Sequence, residues 1–148
     1  MEAKFIIEEI YRAILEKNFI TKFEIDKLAD YFYVLKALRF PIAANCTTRV
    51  FISAEDNQKY VNIMIAFANL TNERNRGIVL ELINRINGNT ELGKFVIDDN
   101  DNIVLQHSYK IRGNRFNPYD VIEDMMELLF NVQFEFENFE EVASIYDF

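Results

Sequence analysis

Three acidic and amide side chains near the middle of the chain have the spacing of a calcium-binding loop. Asp98, Asn100 and Asn102 occupy every second position within KFVIDDNDNIVLQHSY, residues 94–109. A calcium loop of the EF-hand type also needs glycine at its sixth position, for a sharp turn, and a bidentate glutamate at its twelfth. Counted from Asp98, those positions hold Ile103 and Tyr109. We therefore predict no metal site here and interpret the stretch as a β-hairpin turn.

The residues on each side of this turn alternate in the manner of two β-strands. The odd-numbered residues of 103–111 share one face, and those of 95–97 must join it if the hairpin is to bury its apolar side. Odd residues then pair with odd residues, which requires a loop of odd length. We predict the three-residue loop Asn100–Asn102, with its last residue in the left-handed conformation. This register places His107 opposite Phe95.

Two single residues could support catalysis, since the chain has one histidine and one cysteine. His107 falls on the apolar face of its predicted strand, which is typical of a histidine satisfied in the core or at its boundary. Cys46 has no basic or histidine neighbour in sequence to lower its pKa, so we expect an unreactive small residue. The chain has no GxSxG, glycine-rich phosphate loop, CxxC or HExxH motif. We predict a non-enzymatic protein with no catalytic residue, cofactor or metal, and keep open a small enzyme or ligand-binding protein that uses His107.

Three segments have the periodicity of amphipathic helices. The first spans about Glu2–Lys17, and the second runs from a Thr71 cap to about Asn87, where Gly88 stops it. The third begins at Asn117, an N-cap residue followed by proline at the first helical position. Their apolar stripes are Ala3, Ile7, Ile10 and Ile14; Ile78, Val79, Leu82, Ile83 and Ile86; and Val121, Met125, Leu128 and Val132.

The remaining segments favour strands. Residues 47–53 and 59–67 alternate around a polar turn and predict a hairpin. Residues 22–40 are ambiguous, because Thr21 and Glu24 fit a helix capping box whereas the aromatic and β-branched run at 31–34 suits a strand. The element order predicts a single α+β domain over residues 1–148, with an antiparallel sheet covered by helices on one side.

The acidic charge is concentrated at the C-terminal end. The net formal charge is −8, and residues 116–148 contain nine acidic residues and no Lys or Arg, so the first 115 residues sum to +1 and the last 33 to −9. Such an end repels phosphate, and we expect no direct binding of nucleic acid. It is either a solvated, solubilising face or a surface that meets a basic partner. The lone cysteine favours a reducing cytoplasm, and without a long apolar segment we expect neither secretion nor membrane insertion.

Residues 131–148 form an acidic, aromatic C-terminal extension of the predicted domain. Large rings dominate interface energetics, and apolar patches rimmed by polar groups often mark partner sites. The alternative is that these rings fold back onto the core. The candidate partner-binding residues are Phe134, Phe136, Phe139, Glu140, Glu141, Tyr146 and Phe148.

Three stretches, LELINRING, LGKFVIDDNDNIVLQHSY and FNPYDVIEDMMELLF, resemble the YbjN-like family of bacterial proteins described as sensory-transduction regulators. The family pattern has an Asn-x-x-Asn pair, matched by Asn84 and Asn87, and then a Lys-Phe strand, an acidic turn, a strand and a final helix. The resemblance covers about Tyr33 to Leu129. We expect the two asparagines to cap the helix end and its turn.

The resemblance implies the fold of type III secretion chaperones, with about five strands in the order α-β-β-β-α-β-β-α. It favours a strand at about Tyr33–Phe40 within the ambiguous segment. It also implies a non-enzymatic protein, often a homodimer, that holds other polypeptides. No catalytic residues come with the family.

Three functional hypotheses follow. The first is a cytosolic chaperone-like or adaptor protein that binds another protein through an apolar surface and the acidic aromatic tail; it predicts that a chain ending at Asn131 stays folded and loses its partner. The second is an acidic inhibitor or decoy that occupies the basic groove of a nucleic-acid-binding or defence enzyme. The third is a small ligand-binding protein.

Overall fold

The computed structural model of the chain describes residues 1–147, and in this range three α-helices accompany one seven-stranded antiparallel sheet. A single 3-10 turn, Glu73–Asn75, leads into the second helix. In chain order the elements are α1 (Ala3–Glu16), β1 (Glu24–Ala29), β2 (Phe32–Ala43), β3 (Cys46–Glu55), β4 (Tyr60–Asn69), α2 (Arg76–Asn87), β5 (Lys94–Ile97), β6 (Asn102–Lys110), α3 (Pro118–Phe139) and β7 (Ser144–Ile145).

The strands lie in the order β1-β2-β3-β4-β6-β5, and the short β7 pairs with β4. The predicted α+β class is confirmed, with two strands beyond the five expected. One of them is β1, where Ile25 pairs with Leu35 of β2. The capping box of Thr21 and Glu24 is therefore not used, because β2 offers this segment a strand partner for its backbone groups. The predicted strand at 33–40 lies within β2.

One face of the sheet and the inner sides of all three helices share the hydrophobic core. The odd-numbered residues of β4 up to Phe67 belong to it, together with Ile103 and Leu105 of β6. Asn62 and Gln106, on the opposite face, are exposed. The sheet is thus covered on one side, as the alternation predicts. The core members predicted from the stripe of α1 are all buried: Ala3, Ile7, Ile10 and Ile14.

The predicted hairpin forms with the predicted parity, but its register is shifted. Phe95 pairs with Leu105 instead of His107, and the three-residue loop is 99–101, one residue earlier than expected. Asp101, with φ of 61°, takes the left-handed conformation in place of Asn102. The Asp98 carboxylate explains the shift, because its Oδ1 accepts the backbone N–H groups of Asn100 (2.9 Å) and Asn102 (2.8 Å) and so ties the turn to Asp98.

This turn also accounts for the calcium-like spacing of its acidic and amide residues. The carboxylate that a calcium ion would use is bonded to the turn's own backbone. Across residues 1–147 there is no group of three or more His, Cys, Asp or Glu side chains placed to hold a metal ion.

The end of α2 is joined to the edge strand β5 by side chains of the Asn-x-x-Asn and Lys-Phe stretches. The Asn87 side chain donates to the carbonyl of Phe95 (2.9 Å) and accepts its N–H (2.8 Å), so it takes the place of a neighbouring strand. Lys94 Nζ donates to the Asn87 carbonyl (2.8 Å) and thereby caps the helix. The expectation that both asparagines cap the helix end was wrong: Asn87 pairs with the strand, and Asn84 is exposed.

The start of α2 also differs from expectation. Thr71 does not cap it; its hydroxyl lies 3.3 Å from that of Ser144. Asn72 instead accepts the N–H of Arg74 and starts the 3-10 turn. An amide side chain two residues before a free N–H serves as a cap as readily as a hydroxyl.

Candidate partner-binding surface

Helix α3 begins where the sequence predicts, but it continues into residues 131–148, which were interpreted as a C-terminal extension. The side chain of Asn117 accepts the N–H of Tyr119 (3.0 Å), and Pro118 occupies the first turn. The helix has 22 residues and continues to Phe139. The predicted extension 131–148 therefore begins inside this helix.

Two of the candidate partner-binding aromatics lie on the inner side of α3. Phe136 and Phe139 retain 4% and 0% of their exposed area. The Phe139 ring packs against those of Phe67 and Phe95, with centroids 5.3 and 5.8 Å apart. These two side chains are core components, because they continue the buried helical stripe of Val132. We therefore do not include them in the partner surface.

The residues after α3 are attached to the sheet. Ser144 and Ile145 form β7, and the N–H of Tyr146 donates to Phe67 while its carbonyl accepts from Thr47 (2.9 and 2.7 Å). The Tyr146 ring stacks under Arg49, with the guanidinium carbon 5.2 Å from the ring centroid, and burial raises the pKa of this tyrosine. Tyr146 is thus held to the body of the domain.

The other candidates at this end are the carboxylates and the last residue. Glu140 and Glu141 are exposed, and Glu140 accepts a hydrogen bond from the Asn45 amide (3.0 Å). Phe148 lies outside the described residues. Partner contact by Glu140 and Glu141 stays a prediction.

The outward side of α3 carries a row of exposed apolar residues. Met126, Phe130 and Phe134 follow at intervals of four and keep 42%, 65% and 74% of their area exposed. Tyr119, 43% exposed, lies in the same arc of the helix, two turns before Met126. We call these four residues the α3 stripe. Of these, sequence reasoning named only Phe134, although the 3.6-residue period places all four outside the core stripe.

Acidic side chains are interleaved with the α3 stripe. Glu123, Glu127 and Glu137 lie within the same outward arc and are exposed. Within residues 1–147 none of the three forms an ion pair. The whole helix contains six acidic residues and no Lys or Arg. The outward side of α3 is therefore both apolar and negatively charged.

The helices on each side of α3 define the borders of this surface. On one side, the Tyr119 hydroxyl hydrogen-bonds to Glu16 of α1, and this bond raises the pKa of the tyrosine. On the other side, Phe134 lines an open groove between α3 and the end of α2, together with Arg85 and Asn89. Because both neighbours pack on the same core, the stripe is presented on a supported helix.

A sequence model of the YbjN family, "Putative bacterial sensory transduction regulator", matches residues 29–113, more than half of the chain. The chain belongs to the YbjN family. The matched YbjN segment runs from the end of β1 through β6 and stops before α3. It begins four residues earlier and ends 16 residues earlier than the resemblance predicts. No curated protein matches the chain.

His107 of the YbjN segment is held at the junction between β6 and α3. Its Nε2 lies 3.2 Å from Oδ2 of Asp124, and both side chains are largely buried. One residue pair further along, the Tyr109 hydroxyl donates to Asp120 (3.3 Å), and burial together with this carboxylate raises the pKa of Tyr109. His107 is therefore a partnered boundary residue, as predicted, and links the YbjN segment to α3.

Cys46 of the YbjN segment is fully buried. Burial, with the carboxylates of Glu140 and Asp147, raises its pKa to about 11. The thiolate is the reactive form of cysteine, so this environment suppresses nucleophilic chemistry, in agreement with the sequence-based expectation.

The YbjN family is described as regulatory. In the part of the chain that the structure describes, no helix combines the length and the apolar character needed to cross a bilayer.

Proposed function

We propose that this protein is a non-enzymatic, cytosolic regulator or adaptor of chaperone-like fold that binds another protein through the α3 stripe. The observation that carries the proposal is the row of Met126, Phe130 and Phe134 on the outward side of a helix whose inner side is core. Scattered exposed apolar residues are ordinary in soluble domains, whereas an aligned row with a polar rim is typical of a binding surface.

The regulatory description of the family supports the proposed class of protein, a regulator or adaptor. The matched YbjN segment ends at residue 113, so it contributes the scaffold and the α3 stripe comes after it. Partnered His107 and buried Cys46 support a non-enzymatic role. The exposed carboxylates of Glu140 and Glu141 extend the acidic rim beyond the helix end and stay in the proposal as peripheral contacts.

The experiment compares two single charge insertions at similarly exposed apolar positions on different helices. Phe130→Glu places a carboxylate in the middle of the stripe, and Ile78→Glu does the same on α2, where the side chain is 54% exposed. Circular dichroism first shows that both variants are folded. Affinity purification from the native host, with quantitative mass spectrometry, then compares each variant with the wild type.

We expect Phe130→Glu to lose the co-purifying protein and Ile78→Glu to retain it. Since a partner bound through apolar contacts persists at high salt, the wild-type interaction should survive a high-salt wash. If Phe130→Glu and wild type recover the same proteins in the same amounts, the α3 stripe is not the binding surface. If a folded His107→Ala variant recovers the same partner as the wild type, the small-ligand or enzyme alternative loses its best candidate residue.

A further inference from the structure

The charges around the α3 stripe indicate the chemical class of its partner. We propose that the stripe binds a basic amphipathic helix of another protein, one with apolar residues along one side and Lys or Arg residues beside them. This inference rests on the proposed function and makes it more specific.

The length and shape of the α3 stripe suit a helical partner. From Tyr119 to Phe134 the stripe spans 15 helical steps, or about 22 Å at about 1.5 Å per residue. The backbone groups of α3 are bonded within the helix, so this surface offers side-chain ridges and no free strand edge. Ridges of one helix pack into grooves of another, and a partner helix of about four turns matches the length. An extended peptide would instead add to a sheet edge.

The charges beside the α3 stripe suit a basic partner. Glu123, Glu127 and Glu137 flank the stripe without ion pairs to any described residue. Arg85 shares a groove with Glu127, and Arg112 and Arg115 share another with Glu123. None of these guanidinium groups lies within ion-pair distance of the three carboxylates. A partner helix with Lys or Arg beside its apolar row would supply the missing counter-charges at distances where they favour association.

The same charges argue against a second copy of this chain on this face. A two-fold interface places the same surface of both copies together, so the three carboxylates of one α3 would meet the three of the other. Like charges brought together at an interface are unfavourable. A homodimer of this protein, if it forms, would use another face.

The test uses the full-length protein and designed helical peptides of about 18 residues. The basic peptide carries leucine at helical intervals and lysine on both flanks of that row. The acidic peptide replaces each lysine by glutamate, and the scrambled peptide keeps the basic composition without the helical row. Fluorescence anisotropy measures each Kd at two salt concentrations. Sedimentation velocity measures the mass of the protein alone.

We expect the basic peptide to bind, and the acidic and scrambled peptides to bind at least about 100-fold more weakly. Combining Glu123→Gln, Glu127→Gln and Glu137→Gln should weaken the basic peptide about tenfold and reduce its salt dependence. Phe130→Glu should abolish binding, whereas Ile78→Glu should leave it unchanged.

Three results would overturn the inference: equal binding of the basic and acidic peptides, equal binding of the scrambled peptide, or no binding of any peptide. A dimer that Phe130→Glu converts to a monomer would also overturn it, because the stripe would then be a self-interface. If Phe130→Glu loses the host partner while the basic peptide fails to bind, the proposed function stands and only the partner class is wrong.

Discussion

Replacing Phe139 by alanine tests whether the aromatic end of the chain belongs to the core. The ring is fully buried and contacts the rings of Phe67 and Phe95 at centroid distances of 5.3 and 5.8 Å. Both neighbours are themselves fully buried and are held by strands β4 and β5. They are therefore poorly able to move into the space that the missing ring leaves.

The expected cost follows from this geometry. A buried Phe→Ala substitution costs about 3–5 kcal/mol, and the cost is greatest where the cavity cannot collapse. We expect Phe139→Ala to lower the free energy of unfolding by about 4–5 kcal/mol. At about 2–4 °C per kcal/mol for a chain of this size, Tm falls by about 8–20 °C.

The assay is urea and thermal unfolding followed by far-ultraviolet circular dichroism. Phe134→Ala is the matched control, since it makes the same substitution on the same helix at a position that is 74% exposed. It should change the free energy of unfolding by no more than about 0.5 kcal/mol. The two variants therefore separate a core ring from a surface ring.

Equal stabilities of the two variants, or a larger loss for Phe134→Ala, would refute the placement of α3. A chain that ends at Asn131 lacks part of the core. That truncation removes Phe136, Phe139 and the pairing of β7 with β4. We now expect it to unfold the domain, so point substitutions are the appropriate test of partner binding.

Two further substitutions or reactions check the scaffold. Asn87→Ala leaves the backbone groups of Phe95 without their side-chain partner and should lower the free energy of unfolding in urea by about 1–3 kcal/mol. Asn84→Ala, at an exposed position, should lower it by less than about 0.5 kcal/mol. Equal losses of stability would mean that the Asn87 side chain contributes nothing. Burial raises the pKa of Cys46 from 9.0 to about 11, so its thiolate fraction at pH 8 is about 100-fold below that of an unperturbed thiol. A thiol reagent should therefore modify Cys46 only after the protein unfolds. Rapid labelling of the native protein would contradict this burial.

Much of the fold was predictable because the signals are local. The Asn117 cap, the stripe of α1 and the odd parity of the β5–β6 hairpin each depend on residues a few positions apart. The register error had a local cause too: the Asp98 side chain captures two N–H groups of its own turn and moves the loop by one residue. Parity survives such a shift of the loop, because both strands keep the same residues on the buried face.

The helical period of the sequence also separates the buried from the exposed aromatic residues near the C-terminal end. Phe136 and Phe139 continue the buried stripe of α3, and Phe130 and Phe134 fall opposite to it. Treating residues 131–148 as a tail hid this signal. Once the helix is known to reach Phe139, the same 3.6-residue period separates core rings from surface rings.

The sequence alone determined the presence of three helices, the alternating strands, the family and the acidic character of the C-terminal end. Tertiary structure decided whether residues 24–29 are helix or strand, because only β2 supplies their hydrogen-bond partners. It also decided the place of Tyr146, whose backbone bonds to both β3 and β4. Burial of one face of a helix or strand produces a periodic pattern of apolar residues in the sequence. Backbone hydrogen bonds between distant segments produce no such pattern, because every residue type carries the same backbone groups.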